Sequence, residues 1–146
     1  MKVFKGKPII SGNVKGEALV STKGFNTLAS FQKSIIMRAK KAICSDQDNK
    51  ELFKKIMTQK ILCIPQTIGS RTGGLVILTI AKMNIEPKAF LFADRIDSLA
   101  AAGIILTDVW LNKKIITVDS LGKEFLEVVR EGDVVEIKND GTVILC

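Results

Sequence analysis

The chain has no histidine and no tyrosine among its 146 residues. The missing histidine removes Ser-His-Asp and Cys-His catalysis, histidine metal sites and phosphohistidine carriers. Any base supplied here must be Ser, Asp, Glu, Lys or Cys, or belong to a partner. Cysteine is scarce too: Cys44, Cys63 and Cys146 are far apart and form no C-x-x-C pair. That spacing argues against a zinc or iron–sulfur site made by this chain alone, so no metal ligand is assigned. No disulfide is required, and Cys63, inside an apolar run, reads as core. No apolar run approaches the ~20 residues of a membrane helix. Met1-Lys2-Val3-Phe4-Lys5 leads into no signal-peptide apolar region. The expectation is a soluble, cytoplasmic protein that uses no membrane.

What is present suits one domain of residues 1–146. The length lies within the usual ~100–200 residues per domain, and 47% apolar with 25% charged residues supports a real core. The stretch Lys60 to Met83 organises the rest. Ile61-Leu62-Cys63-Ile64 reads as a buried strand, and Pro65 stops it. Gln66 to Gly74 reads as a loop with glycines at 69, 73 and 74. From Leu75 a buried helix is expected, on Leu75, Leu78, Ile80, Ala81 and Met83. Strand, glycine-rich loop and helix present amides and a helix N-terminus to an anion. Ser70 sits at the tip beside Arg71 and Thr72. A hydroxyl, a guanidinium and amides at Gly69 and Gly73 suit a carboxylate or phosphate. The P-loop pattern is not met, because no lysine follows the second glycine. A plain strand-to-helix turn, with Ser and Thr capping the helix, explains the same residues.

Around that stretch, residues 1–21 read as β structure with a strand at Gly16 to Ser21, and Thr22 to Thr27 as a loop. Ser30, Phe31 and Ser34 to Met37 are strand or the start of a helix. Asn49 is a cap for a short helix from Lys50 to Ile56. Between residues 33 and 60, Lys33, Arg38, Lys40, Lys41, Lys50, Lys54, Lys55 and Lys60 oppose Asp46, Asp48 and Glu51. That segment is a solvated face, a docking surface for an acidic partner or a steering field for an anionic substrate. No nucleic-acid motif accompanies it, so no nucleic-acid partner is assigned. Ala89 to Ala93 reads as a strand. A short helix capped by Asp94 is expected to end at Gly103. Trp110 is expected to pack on the sheet or at an interface, with the core preferred. Ile115 to Asp119 reads as a strand and Ser120 to Val129 as a small helix. Asp133 to Ile137 and Thr142 to Leu145 form a hairpin across Asn139-Asp140-Gly141. The fold class is α/β, with β segments at both termini around a central parallel β/α unit.

These residues resemble the small, swivel-domain subunit of aconitase X, the family that includes phosphomevalonate dehydratase small subunits and hydroxyproline dehydratases. Gly16 to Ser21 is similar to the family's G-x-A-L-V stretch. Lys60 to Gly74 is similar to its strand–Pro–glycine loop, with Pro65, Gly69, Ser70 and Gly73 in register. Pro87 to Gly103, then Ile115 to Asp119, is similar to its tail. The resemblance implies a swivelling β/β/α domain in a two-part hydro-lyase. A large aconitase-X-like catalytic subunit would hold an iron–sulfur cluster as Lewis acid. This chain would close over it and supply Ser70 as an alkoxide base toward a small anionic hydroxy acid. Arg71 would hold a carboxylate or phosphate of that substrate. The sequence also departs from the family pattern. Ser30-Phe31 is followed by Gln32-Lys33-Ser34 instead of G-G-V-D-P, Lys50-Glu51 replaces H-P, and Gly74 replaces a second serine. The resemblance implies that the region around Ser30 lines the substrate pocket, so the substrate stays open. The alternative function is a non-catalytic swivel or ligand-binding module that regulates or scaffolds a partner.

Overall fold

Strand periodicity sorts the core into two layers. The computed structural model describes residues 1–69 and 71–146. Along the chain these form β1 (Lys2–Lys5), β2 (Lys7–Ile10), β3 (Val14–Val20), β4 (Phe25–Asn26), α1 (Thr27–Ile36), β5 (Ile61–Ile64), β6 (Thr67–Ile68) and α2 (Gly73–Lys82). There follow β7 (Ala89–Phe92), α3 (Ser98–Leu111), β8 (Ile116–Asp119), α4 (Lys123–Val128), β9 (Val134–Ile137) and β10 (Thr142–Leu145). The central strands β3, β5, β7 and β8 are mutually parallel, and β9, β10, β1 and β2 add antiparallel flanks. Successive residues of a strand face opposite ways. Leu62, Ile64, Phe90 and Phe92 therefore pack under α1, α2 and α3, with Phe31, Ile77, Ile80 and Ile104. Ile61, Cys63, Ala89 and Leu91 face the other side, with Phe125 of α4, Val135, Ile137 and Val143.

The strand order is β1-β10-β9-β3-β5-β7-β8-β2, so β1 and β2 are opposite edges of one eight-stranded sheet. Only Gly6 separates them, and two residue steps reach at most ~7 Å. The edges must therefore meet, and the sheet rolls into a barrel whose interior is the second layer. A β-carbon at Gly6 would stand 2.5 Å from Val118 Cγ1, so the crossing admits only glycine. Phe125 plugs the interior, edge-on to Phe4 with centroids 5.3 Å apart.

The parallel β/α centre, the β termini and the hairpin match the sequence reading. Several local expectations are corrected. Helix α3 does not end at Gly103 but runs to Leu111, and Asn112 ends it in the left-handed conformation at φ 54°. Its cap is Asp97, whose carboxylate accepts from Ala100 N at 3.0 Å, not Asp94. Trp110 is 66% exposed, because the last turn of α3 points it outward. Helix α2 begins at Gly73, and Leu75 lies on its exposed side, while Val76 and Ile77 are buried. The loop expected at residues 22–27 contains β4 and the start of α1, which Asn26 caps through Ala29 N at 3.0 Å. The expected helix after Asn49 is a run of turns: Asn49 caps Leu52 N at 3.2 Å, and Lys54 halts it at φ 69°.

The basic segment is largely a solvated face. Lys33, Arg38, Lys40, Lys41, Lys50 and Lys54 are exposed. Lys60 pairs with Glu17 at 3.2 Å and Lys55 with Glu131. Glu51, where the family pattern has a proline, accepts from both N and Oγ1 of Thr22 at 2.9 Å.

Cys44 and Cys63 are buried and Cys146 is exposed, and all three are free thiols. Burial pushes the Cys44 thiol up, and the fully buried Cys63 thiol further still. Titration of native protein with a chromogenic disulfide should count one thiol per chain, rising to three in denaturant. Two fast thiols in the native state would contradict this packing.

Candidate functional site

Pro65 ends β5 and sends the chain over the C-terminal ends of the parallel strands, where open β/α sheets place their ligand crevices. The path is fixed before the glycine loop begins. Phe25 N donates to Gln66 O at 2.8 Å, and the two-residue strands β4 and β6 pair in parallel, Phe25 with Thr67 and Asn26 with Ile68. Gly69 then turns at φ 93°, a conformation that glycine adopts without strain. A β-carbon there would also stand 2.7 Å from Asn26 Nδ2. Asn26 thus caps α1 and forms the floor under the turn.

On the far side of the loop, Thr72 stands at the N-cap of α2 without a side-chain cap, and its carbonyl accepts Val76 N at 3.0 Å. Arg71 and Thr72 are exposed, and no carboxylate among the described residues pairs with Arg71. A guanidinium one residue ahead of the N-cap of a ten-residue helix adds to the positive potential of that helix end. Ser70 lies outside the described residues.

Thr27, Thr67, Ile68, Gly69, Gly73, Asp97, Leu99 and Ala100 line a cleft of about 210 Å³ under the loop. The structure thus brings together Gly69 and Gly73 of the expected site, with Arg71 and Thr72 on the connecting turn. Asp97 is the residue the sequence reading missed. One carboxylate oxygen caps α3 at Ala100 N, 3.0 Å away, and the other accepts from the Thr67 hydroxyl, so both its oxygens are engaged inside the cleft wall. The available signal was Asp-Ser-Leu directly ahead of an apolar run, a helix start three residues after the one assigned.

Ser30 does not join this cleft. It is fully buried in α1, its Oγ has no hydrogen-bond partner among the described residues, and the weakly polar thiol of Cys44 lies beside it. In this chain it packs in the core beneath α1, apart from the cleft lined by Gly69 and Gly73. Ser30→Ala should destabilise the chain little, within ~1 kcal/mol in a thermal melt, because the hydroxyl's polar neighbour is the Cys44 thiol, a weak hydrogen-bond partner. A melt showing a large loss would reveal a partner for that hydroxyl.

Gly74, where the family pattern carries a second serine, has a packing cause. A β-carbon there would stand 2.7 Å from Leu99 O, and one at Gly103 would stand 2.5 Å from Gly74 O. Helices α2 and α3 touch backbone to backbone at this point. Among the described residues no three Cys, Asp or Glu side chains gather as a metal ligand set. An iron–sulfur cluster does not fit this chain's own donors. Nor, among those residues, is any helix long and apolar enough to cross a membrane.

A rolled mixed sheet with a glycine loop and helix N-terminus at the C-terminal ends of its parallel strands defines a swivel-type β/β/α domain. The family model described as the aconitase X swivel domain matches residues 3–145, and the chain belongs to that family. A phosphomevalonate dehydratase small subunit from Thermococcus kodakarensis is 29% identical over 106 residues, covering 73% of this chain and 74% of the relative. The protein of the same name from Thermococcus sibiricus is 25% identical over 137 residues, covering 94% and 92%. The crystal structure of holo-form Thermococcus kodakaraensis aconitase X superposes with a TM-score of 0.83 at 25% identity, over 100% of this chain and 99% of that one.

Proposed function

We propose that this chain is the small subunit of an aconitase X-type dehydratase that acts, in the cytoplasm, on a small anionic hydroxy acid. It works by closing over a site held by a large subunit. The observation that carries this reading is the cleft beneath the 69–74 turn, with Arg71 beside the N-terminus of α2. Relatives of similar length are named as small subunits of phosphomevalonate dehydratase, which supports both the reaction class and the larger partner. The iron–sulfur cluster implied by the family belongs to that partner, and this chain contributes no ligand to it.

In this reading Arg71 and the amides of the turn bind a carboxylate or phosphate of the substrate, with Thr72 beside them. Ser70 takes the proton from carbon. The same positive charge that binds the anion lowers the cost of the alkoxide. Closure of the swivel excludes water from the proton transfer.

The test is steady-state kinetics of the co-purified two-chain enzyme on 5-phosphomevalonate and a panel of anionic hydroxy acids. Arg71→Ala should raise KM by ~10–100-fold, the worth of a charge-assisted hydrogen bond, with Arg71→Lys recovering part of it. A two-chain complex that dehydrates none of these acids would overturn the proposal and leave the regulatory or scaffolding module in its place.

A further inference from the structure

Helix α3 contradicts the pattern expected of a surface helix. Such a helix is apolar on one side and charged on the other. This one carries a single charged residue in fourteen, Asp108, which pairs with Lys114 at 3.0 Å. Ala100, Gly103, Ile104 and Thr107 form its buried side. At 100° per residue, the exposed residues Ser98, Leu99, Ala102, Ile105, Val109 and Trp110 occupy one arc of roughly 140°. All but Ser98 are apolar. The stripe from Leu99 to Trp110 is about 16 Å long.

The stripe starts at the functional cleft. Leu99 lines it together with Ile68, and Leu75 follows Gly74, whose backbone lies against Leu99. Ile68, Leu75, Leu99, Ile105, Val109 and Trp110 are each 44–69% exposed. Together they present on the order of 600 Å² of apolar side chain, at or above the largest patch of an ordinary monomer and close to one side of a stable interface.

We propose that the outer face of α3, with Leu75 and Ile68 at its upper end, is the surface by which this chain docks on the large subunit. This inference rests on the dehydratase reading, in which the cleft mouth must face the partner. The stripe is continuous with that mouth, so the partner that covers one covers the other. A second copy is the poorer occupant: paired face to face, it would sit over Leu75 and Leu99 and seal the cleft against substrate. Docking through the uncharged outer face of α3 also leaves the basic segment 33–60 outside the contact.

Trp110 is the only tryptophan in the chain, so it reports on this face alone. The chain is labelled with 5-fluorotryptophan and its single ¹⁹F resonance followed, alone and after addition of the unlabelled, purified aconitase X-type large subunit of the same organism. Alone, the resonance should show the full solvent isotope shift between H₂O and D₂O and no dependence on concentration. In the complex it should move and lose most of that isotope shift. Val109→Asp should weaken the complex at least tenfold by analytical size exclusion, without altering the circular dichroism or melting of the isolated chain. A complex that forms while Trp110 keeps its full isotope shift would overturn the docking face and leave the dehydratase reading standing. A resonance that moves with the chain's own concentration would assign the face to a second copy and overturn the proposal. Failure of the two chains to associate at all would overturn both.

Discussion

Ser70→Ala is expected to lower kcat of the assembled two-chain enzyme by on the order of 10³-fold or more, with KM, the fold and the complex retained. A group that acts only on the proton in flight stabilises the transition state alone, so its loss falls on kcat. An ordinary serine hydroxyl is a very weak base, and what qualifies this one is its setting: Arg71 and the α2 N-terminus follow it in sequence. The contrast with Arg71→Ala, which falls on KM, separates proton transfer from anion binding. Exchange of the substrate carbon-bound hydrogen with D₂O supplies an independent readout, and it should vanish in Ser70→Ala. A variant that keeps a tenth of its turnover, or still exchanges that hydrogen, would place the base elsewhere.

Gly103→Val is expected to destabilise the chain by ~3 kcal/mol, a fall in Tm of roughly 10 °C. The cause is the 2.5 Å approach between the position of a Gly103 β-carbon and the Gly74 carbonyl oxygen. Relief requires α3 to move off α2, and the N-terminus of α2 carries the turn proposed to bind the anion. The Arg71-dependent KM should therefore rise as well. Gly103→Ala settles the mechanism by its sign. Helix propensity alone would make alanine stabilising by ~1 kcal/mol, whereas the backbone contact makes it destabilising. A thermal melt in which Gly103→Ala gains stability would remove the contact from the account.

The same glycine shows where the sequence could be read and where it could not. Glycine after an apolar run is a common helix stop, so Gly103 reads naturally as an end. Its true reason, close approach to a glycine nearly thirty residues earlier, is a tertiary fact with no local signature. The Pro65 break, the glycines of the 66–74 loop and the Asn-Asp-Gly turn before β10 are local devices, and the strand–loop–helix and the hairpin were legible from them. Helix α1 was obscured because its buried side carries Thr27, Ser30 and Ser34, which mute the apolar period. Ser34 instead serves the segment behind it, accepting Ile43 N at 3.0 Å. For Trp110 the sequence leaves sheet packing and an interface open and favours the core, and that preference fails because the outer face of α3 is apolar too. Around the cleft, the loop that carries Gly69, Arg71, Thr72 and Gly73 was legible from its glycines, whereas Asp97 and Asn26 come from other elements and needed the fold to bring them in.

The pairing of β1 with β10 joins segments far apart along the chain. Among the described residues, Lys2–Lys5 has Thr142–Leu145 as its one neighbour in the sheet. The barrel therefore closes only when these two distant segments meet. Until they pair, the chain displays an unpaired Val3-Phe4 edge and an unfilled place beside β9, both open to wrong partners. Closure of such sequence-distant strands is a slow step in folding, so this one pairing acts as the latch that commits the sheet.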